Sequence, residues 1–369
     1  MARGKPLGGG GLRTAVTAAL LSLAGACGRA PERATAPAAI EDGRGGWDEV
    51  RIGTDAVFSG LHFVDAEVGW IVGGSPFVSG GVAGRTENGG RTWSFVTGVT
   101  KGGPTSVLSA VHGFDRMRAC AVGDGVFLTF DGGRSWQRGR AVSRVAAHLS
   151  ALHFVSENEG WAAGAAGVLH TTDGGMNWME IDADPARVAS RSDAPHVAAR
   201  VLHFTDGRNG WLGGQHGALY RTRDGGVSWA RVAIPASASA GGGPPPYLFG
   251  GTWTDEAHAW LVGEHGTVLR SGDGGESWSR AETGAGDAFF TAIAFAGRDG
   301  WIAGFLPDGA ARSVMYRTKD GGATWALERT LEGEELRALQ VLDANTGWAV
   351  GGRVRTEPQR MLRRALAVR

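Results

Sequence analysis

The sequence is poor in cysteine and lysine and carries no net charge. Its 369 residues include only two cysteines, Cys27 and Cys120, which is too few for a disulfide framework. Lys+Arg and Asp+Glu both number 37, so no net field attracts the phosphates of a nucleic acid, and we expect no nucleic-acid partner. The longest N-terminal apolar run, residues 15–26, is shorter than the roughly 20 residues of a membrane-spanning helix.

Glycine and tryptophan are abundant instead. The chain has 63 glycines, well above the usual share of roughly 7%. It also has fourteen tryptophans and fourteen phenylalanines, enough large apolar groups to offset the entropy of ordering a chain. This composition predicts a packed β structure with many tight turns.

The N-terminus has the features of an export signal. Basic residues precede the apolar run, which ends in small residues before Cys27 and resembles a bacterial lipobox. We therefore predict a lipoprotein-type signal peptide over residues 1–26, lipidation of Cys27, and a flexible tether over residues 27–41. The string Ala24-Gly25-Ala26 also fits ordinary signal cleavage, which would release a periplasmic or secreted protein. Both alternatives imply export, and the first implies a cell-envelope lipoprotein of the periplasm or outer membrane held to its membrane by lipid.

A motif of the form Thr-x-Asp-Gly-Gly-x-x-Trp occurs six times. We call it the Asp motif, and it resembles the Asp-box, or bacterial neuraminidase repeat. Its chemistry is that of a turn, because a carboxylate accepts backbone N–H bonds two residues on and paired glycines permit positive φ. We expect a structural role, with no catalysis, for its acidic or amide residues, which are Asn88, Asp131, Asp173, Asp224, Asp273 and Asp320.

A second motif, Gly-Trp-x-x-Gly, alternates with the first and occurs seven times, with Cys120 replacing the tryptophan in one copy. The repeat length is roughly 40 to 50 residues, and each repeat contains four short β-type runs, as in a propeller blade. The seventh repeat lacks its Asp motif, whereas residues 42–47 contain a degraded copy ending in Trp47. We therefore predict an all-β, seven-bladed β-propeller over residues 42–369, monomeric, in which the N-terminal strand from Trp47 to Ile52 closes the last blade.

The alternation of F-x-D-x-x-x-G-W-x-x-G with T-x-D-G-G-x-x-W resembles the photosystem II assembly and stability factor family. The resemblance covers residues 42–369 and carries strong information about fold but little about function. Family members in oxygenic phototrophs bind a reaction-centre protein through an arginine-rich surface and are not enzymes. The resemblance thus implies a binding or assembly scaffold.

The loops between the second and third strands, and the links between blades, are the variable parts of the repeat. Because variable loops on a rigid scaffold commonly carry binding sites, we place a binding surface on this variable face. Arg200 lies in one of these links. The predicted surface binds a protein, including a membrane protein, or an anionic polymer, although ordinary solvated charge is the alternative. Its residues are Arg140, Arg144, Arg187, Arg191, Arg353, Arg355 and Arg360.

An enzyme or a metal site has less support from the sequence. Sialidases carry Asp-boxes on propellers, and a glycoside hydrolase of this or another Asp-box type is the alternative function. The carboxylates on the variable face are Asp124, Glu264, Asp287 and Asp308, and Tyr247 is its one tyrosine; we assign no catalytic residue. We expect no cofactor and no metal. Four histidines share one repeat position, but equivalent positions on a ring do not converge on one ion; they are His62, His112, His153 and His203.

Overall fold

The computed structural model describes residues 46–75, 78–100, 107–141, 148–181, 198–238, 243–352 and 360–364. The signal peptide, Cys27 and the tether lie outside the described residues. The described part belongs to one compact unit, Ala36–Arg369, and consists of seven sheets and one short 3-10 turn, Gln215–Gly217. No helix in the described ranges is both long and apolar enough to cross a membrane.

Each sheet is one blade with four antiparallel strands, and a short fifth strand adds in parallel to one of the sheets. The strands are numbered here along the chain. The first strand is β1 (Trp47–Arg51). Blade one has β2 (Val57–Phe63), β3 (Gly69–Ser75), β4 (Val78–Thr86) and β5 (Ser94–Val96). Blade two has β6 (Leu108–Gly113), β7 (Ala119–Gly123), β8 (Gly125–Thr129) and β9 (Gln137–Arg138), followed by the short strand β10 (Arg140–Ala141). Blade three has β11 (Leu149–Phe154), β12 (Gly160–Gly164), β13 (Gly167–Thr171) and β14 (Asn177–Glu180).

The remaining blades follow the same order. Blade four has β15 (Val201–Phe204), β16 (Gly210–Gly213), β17 (Leu219–Thr222) and β18 (Ala230–Arg231). Blade five has β19 (Leu248–Trp253), β20 (Ala259–Gly263), β21 (Val268–Ser271) and β22 (Ser279–Arg280). Blade six has β23 (Phe289–Ala296), β24 (Asp299–Leu306), β25 (Arg312–Thr318) and β26 (Ala326–Glu332). Blade seven has β27 (Leu336–Asp343), β28 (Thr346–Gly351) and β29 (Arg360–Arg364).

The N-terminal strand completes blade seven, as the sequence predicts. β1 pairs antiparallel with β29, from Trp47 opposite Arg364 to Arg51 opposite Arg360. The first strands of neighbouring blades contact one another in turn, and β27 returns to β2, so the ring is closed. The first strand of each blade is therefore the innermost, and the predicted seven-bladed propeller is confirmed.

The tryptophans of the second motif fill the spaces between blades. Trp348 of blade seven stacks on Phe63 of blade one with ring centroids 3.5 Å apart, and Trp161 of blade three stacks on Phe204 of blade four at 3.8 Å. Cys120, which replaces this tryptophan in blade two, is fully buried, and burial raises the pKa of its thiol. Stacked aromatic rings thus supply much of the apolar contact that holds one blade to the next.

Close backbone packing explains the glycine that ends every copy of the second motif. At Gly351 an added Cβ atom would lie 1.9 Å from the carbonyl oxygen of Glu335, and at Gly304 it would lie 2.2 Å from that of Phe289. The same position meets a first-strand carbonyl in the other five blades, at Gly73, Gly123, Gly164, Gly214 and Gly263. Any larger residue would therefore separate the first and second strands.

The Asp motif is a turn, but its hydrogen bonds differ from our prediction. In blade two the Asp131 carboxylate accepts the backbone N–H of Ser135, four residues on, at 3.0 Å. The N–H two residues on, that of Gly133, donates instead to the Thr129 hydroxyl at 2.8 Å, because that hydroxyl lies inside the turn. Bonds from Ser135 hold the pKa of Asp131 down to about 2. Asn88, Asp173, Asp224, Asp273 and Asp320 accept the equivalent backbone N–H, which supports the structural role.

Candidate functional site

The two faces of the propeller are distinguished by where the Asp motifs lie. The first glycine of each Asp motif donates its N–H to the turn between the first and second strands of the same blade, for example Gly132 to the Met117 carbonyl at 2.9 Å. The uniform turns thus lie together on one face. The hairpins between second and third strands and the starts of the first strands lie on the other, the variable face.

A cavity of about 230 Å³ opens on the variable face, where the ends of blades two to five meet. Asp124 comes from the tight β7–β8 hairpin, and His148, Arg200 and Tyr247 come from the segments that lead into β11, β15 and β19. We call these four residues the polar cluster. Each is placed by a strand end, so the rigid blades fix the spacing of side chains that are distant in sequence.

Tyr247 is the most firmly held member of the polar cluster. Its hydroxyl donates to the Ala198 carbonyl, and its N–H donates to the Glu264 carboxylate at 2.9 Å. Its ring stacks on Phe249 with centroids 4.7 Å apart. Burial raises the pKa of Tyr247, and the neighbouring Arg200 guanidinium opposes that rise. The phenol therefore stays neutral at physiological pH and is a fixed aromatic platform beside a cation.

Arg200 has an exposed side chain, and its backbone N–H is anchored to the Gly213 carbonyl at 2.9 Å. Within the described residues, no carboxylate lies within ion-pair distance of its guanidinium. Other arginines are paired, such as Arg312 with Asp308 and Arg280 with Glu282 at 2.9 Å. Arg200 thus presents an unneutralised, planar donor group to the cavity.

Two histidine–carboxylate pairs also lie on the variable face. His148 lies 3.0 Å from the Asp124 carboxylate, and His265 lies 2.5 Å from that of Asp287. Both histidines have positive φ, 60° and 55°, a region that non-glycine residues rarely adopt. Strain of this kind is concentrated at functional sites, where the surrounding structure holds it in place.

Only two arginines of the predicted surface lie among the described residues, and one of them, Arg140, does not lie on the variable face. Arg140 belongs to β10, which adds in parallel to β14, so its N–H donates to the Met176 carbonyl of the blade-three Asp motif at 2.9 Å. It therefore lies beside an Asp motif and not on the variable face. Arg360 is in β29 and forms an ion pair with Glu49 at 2.8 Å. The other five lie outside the described residues: Arg144, Arg187, Arg191, Arg353 and Arg355.

The inner-strand histidines link neighbouring blades. His62 accepts the N–H of Gly113 at 3.0 Å, and His153 lies 2.9 Å from the Phe204 carbonyl. Burial lowers the pKa of both to about 4, of His203 to about 3 and of His112 to about 2, so all four are neutral at pH 7. Among the described residues, no three acidic, histidine or cysteine side chains are placed to hold a metal ion.

The carboxylates considered for a glycoside hydrolase each have a local partner. Asp124 and Asp287 pair with histidines, Glu264 holds the backbone of Tyr247, and Asp308 pairs with Arg312. The pKa of Asp308 lies below its ordinary value because of a bond from the Ala310 N–H and the Arg312 guanidinium. A general acid needs a raised carboxyl pKa, and the pKa of Asp308 is shifted in the opposite direction. Tyr220 and Tyr316 are buried in their blades, as expected.

Comparisons with known proteins agree with this architecture. The family model of the photosynthesis system II assembly factor YCF48 matches residues 121–189 and 248–347. The solved structure of YCF48 bound to D1 peptide is 18% identical, with a TM-score of 0.67 over 90% of this chain and 100% of that chain. YCF48 from Cyanidioschyzon merolae is 17% identical, with a TM-score of 0.66 over 86% and 98% of the two chains.

A glycoside hydrolase is also similar, to a lesser degree. The GH74 xyloglucanase from Xanthomonas campestris is 17% identical, with a TM-score of 0.55 over 86% of this chain and 55% of that chain. A search of the curated proteins finds no match. At these identities the solved structures establish the fold. The two alternating motifs and the seven closed blades make this chain a β-propeller of the bacterial neuraminidase repeat type, and over the matched residues it is similar to the photosystem II assembly factor family.

Proposed function

We propose that this chain is a non-catalytic binding protein that holds a carboxylate-bearing segment of a partner protein at the polar cluster. The observation that carries the proposal is the exposed guanidinium of Arg200, which lies beside Tyr247 in a cavity on the variable face and has no carboxylate partner among the described residues. Arginine suits this task because its planar fork donates two parallel bonds to a carboxylate. A D1 peptide is bound by the related propeller YCF48, which supports a peptide as the class of ligand.

The shape and charge of the cavity favour an extended segment. A volume of about 230 Å³ accommodates one or two side chains, not a folded domain. Tyr247 offers an aromatic surface, and the Asp124–His148 pair offers polar groups opposite Arg200. A chain lying across these groups would place its carboxylate on Arg200 and its apolar atoms on Tyr247.

Reversing the charge of Arg200 tests the proposal. The immobilised propeller is incubated with an envelope extract of the host, and bound proteins are quantified for wild type, Arg200→Glu and a control, Arg208→Glu. Arg208 is also exposed but lies in a turn on the Asp-motif face. We expect Arg200→Glu to lose at least about tenfold in capture of its specific partner, Arg208→Glu to retain it, and added salt to weaken it. Equal capture by all three proteins would refute the role of Arg200.

The arginine surface predicted from the sequence remains a separate proposal. Changing Arg144, Arg191 and Arg355 together to Glu should leave folding intact, because the sequence predicts that all three lie in loops and links, where charges contribute little to stability. The same capture experiment should then show weaker, salt-sensitive binding. If only Arg200→Glu reduces capture, the partner contacts the polar cluster and not these loops.

The alternative, a glycoside hydrolase, rests on the similarity to GH74 propellers. It is tested by incubating the protein with xyloglucan and with chromogenic glycosides, including a sialoside. Our proposal predicts no turnover above that of an Asp124→Asn, Asp287→Asn double variant. Hydrolysis that disappears in this variant would establish the enzyme and overturn a purely binding function.

We further propose that the protein is exported and anchored to the cell envelope by lipid on Cys27. The basic residues, short apolar run and small residues before Cys27 support this proposal. Labelling with a radioactive or alkyne-tagged fatty acid should mark the wild type and not Cys27→Ser, and the variant should leave the detergent phase. A wild-type protein that is exported but never labelled would show ordinary signal cleavage.

A further inference from the structure

A second cavity, of about 300 Å³, lies between blades one and two on the side of the Asp motifs. We call it the interblade pocket. Blade one contributes Trp70 and Ala83 to its wall, and blade two contributes Gly133, Arg134 and Trp136 from its Asp motif. The rings of Trp70 and Trp136 meet edge to face, with centroids 6.1 Å apart. The pocket is therefore aromatic, and it lies on the opposite face from the polar cluster.

A small residue in blade one helps to open this pocket. Ala83 is the third residue before the Thr of its Asp motif. The other complete repeats have a larger buried side chain there; these residues are Val126, Val168, Leu219, Val268 and Met315. Blade one therefore departs from the other complete repeats at this position of the pocket wall.

One tryptophan of the pocket wall, Trp136, has an indole N–H without a hydrogen-bond partner. Trp161 and Trp348 donate their indole N–H to a glycine carbonyl of the next blade, both at 2.9 Å, whereas the indole nitrogen of Trp70 has no partner. Trp136 also lacks one, as do Trp211 and Trp325 in blades four and six, although Trp93 and two equivalent tryptophans donate to a glycine of their own Asp motif. The Trp70 nitrogen lies beside Gly113, which is not part of the pocket wall, whereas Trp136 is itself part of that wall.

Positive charge lies at the edge of the interblade pocket. The Arg85 guanidinium is stacked over Trp70 at 5.3 Å and is paired with Glu87. Arg134 is exposed, and within the described ranges it has no carboxylate partner. The Arg134 guanidinium donates one hydrogen bond to the Asp131 carbonyl at 3.1 Å and keeps further N–H groups for a ligand. An aromatic wall next to such a guanidinium fits a ring with a carboxylate beside it.

The apolar surface continues outside the pocket. Phe130 and Met117, on either side of Gly132, are 47% and 43% exposed. A small molecule enclosed by the pocket would leave these side chains in water, whereas a polypeptide would cover them. We propose that the interblade pocket binds an aromatic side chain of a partner protein, in a segment where an acidic residue adjoins the aromatic one. This proposal is independent of the function proposed for the polar cluster.

The test uses the capped peptide acetyl-Gly-Glu-Phe-Gly-amide with a para-fluoro label on its ring, followed by fluorine NMR. We expect saturable binding to the full mature protein in the millimolar range, about −4 kcal/mol at 1 mM. Ala83→Met, which installs the residue of blade six, should abolish the signal change. Arg134→Ala, the blade-six residue at that position, should weaken binding about fivefold. Arg91→Ala, at the same motif position of blade one, is the control and should bind as wild type does.

Further variants distinguish a loss of peptide binding from a folding defect and from an effect of the polar cluster. If Ala83→Met fails to fold by circular dichroism, Ala83→Val, the residue of three other blades, replaces it and should reduce binding. Arg200→Glu should not affect this peptide, which separates the interblade pocket from the polar cluster. The proposal is overturned if wild type shows no saturable binding up to roughly 10 mM. It is also overturned if filling the pocket has no effect, if a lysine in place of the peptide's glutamate binds equally well, or if free para-fluorophenylacetate binds and the peptide does not.

Discussion

Replacing His62 by glutamine should make the propeller less sensitive to mild acid. His62 accepts the N–H of Gly113 in the next blade, and burial, with a smaller effect from His153, lowers its pKa to about 4. Blade seven shows that glutamine fits this position, since Gln340 accepts the N–H of Phe63 at 2.6 Å and donates to its carbonyl at 3.0 Å. Glutamine can therefore replace the imidazole without adding a titrating group.

The sign and size of the effect follow from the two pKa values. In the unfolded chain a histidine has a pKa of about 6.5, so below that pH the unfolded state binds a proton that the folded state does not. Stability from His62 is thus fully present above pH 6.5 and is lost as the pH falls towards 4. Between pH 7 and pH 5 the loss is about 2 kcal/mol for this one residue. The carboxylates titrate at lower pH and contribute little to the change in this interval.

Guanidinium unfolding at pH 7, 6 and 5, followed by tryptophan fluorescence, measures this loss. We expect His62→Gln to lose about 2 kcal/mol less than wild type between pH 7 and pH 5. If His62→Gln and wild type lose equal stability over this interval, burial does not keep the imidazole neutral and the reasoning is wrong.

Two further predictions concern the ring and its packing. Deleting residues 42–52 should open the propeller and lower the melting temperature sharply, and an unchanged melting temperature would contradict the closure. Trp47→Ala alone should lower the free energy of unfolding by about 3–5 kcal/mol, because that side chain is 2% exposed. Gly304→Ala should destabilise the protein strongly, because its Cβ would lie 2.2 Å from the Phe289 carbonyl oxygen. The control is Gly272→Ala, which has open space around it and should change the free energy of unfolding by less than about 0.5 kcal/mol. Denaturant titrations measure both variants.

The sequence predicts the fold because the fold is periodic. Each blade repeats the same turn and the same interblade tryptophan, and the unmatched Trp47 at the start pairs with the unfinished repeat at the end, as β1 and β29 confirm. Local hydrogen bonding was harder to predict, because the Thr hydroxyl and the carboxylate of an Asp motif compete for the same N–H groups. The backbone conformation of the turn decides which oxygen accepts each N–H. The Asp131 carboxylate therefore accepts the N–H of Ser135, whereas the predicted donor, Gly133, bonds to the Thr129 hydroxyl.

The candidate sites are harder to predict because they depend on departures from the repeat. Arg200 and Tyr247 lie close together because the starts of two blades meet on one face. The two residues are far apart in the sequence, so the sequence does not predict this contact. In the sequence, nothing distinguishes Arg140 from the other arginines in the links between blades. Its position is set by the pairing of β10 with β14 of blade three. For the interblade pocket a signal does exist, since Ala83 is smaller than every residue aligned with it.

The pairing of β1 with β29 has a consequence for the order in which the molecule is made. Trp47 leaves the ribosome more than 300 residues before its partner Arg364, so the first-made strand has no neighbour until synthesis is almost complete. Six blades are able to form earlier from strands that are adjacent in sequence, whereas the seventh waits for both ends. A nascent or truncated chain therefore exposes the sheet edges of blade seven, and the last few strands synthesised decide when the whole ring becomes resistant to proteases.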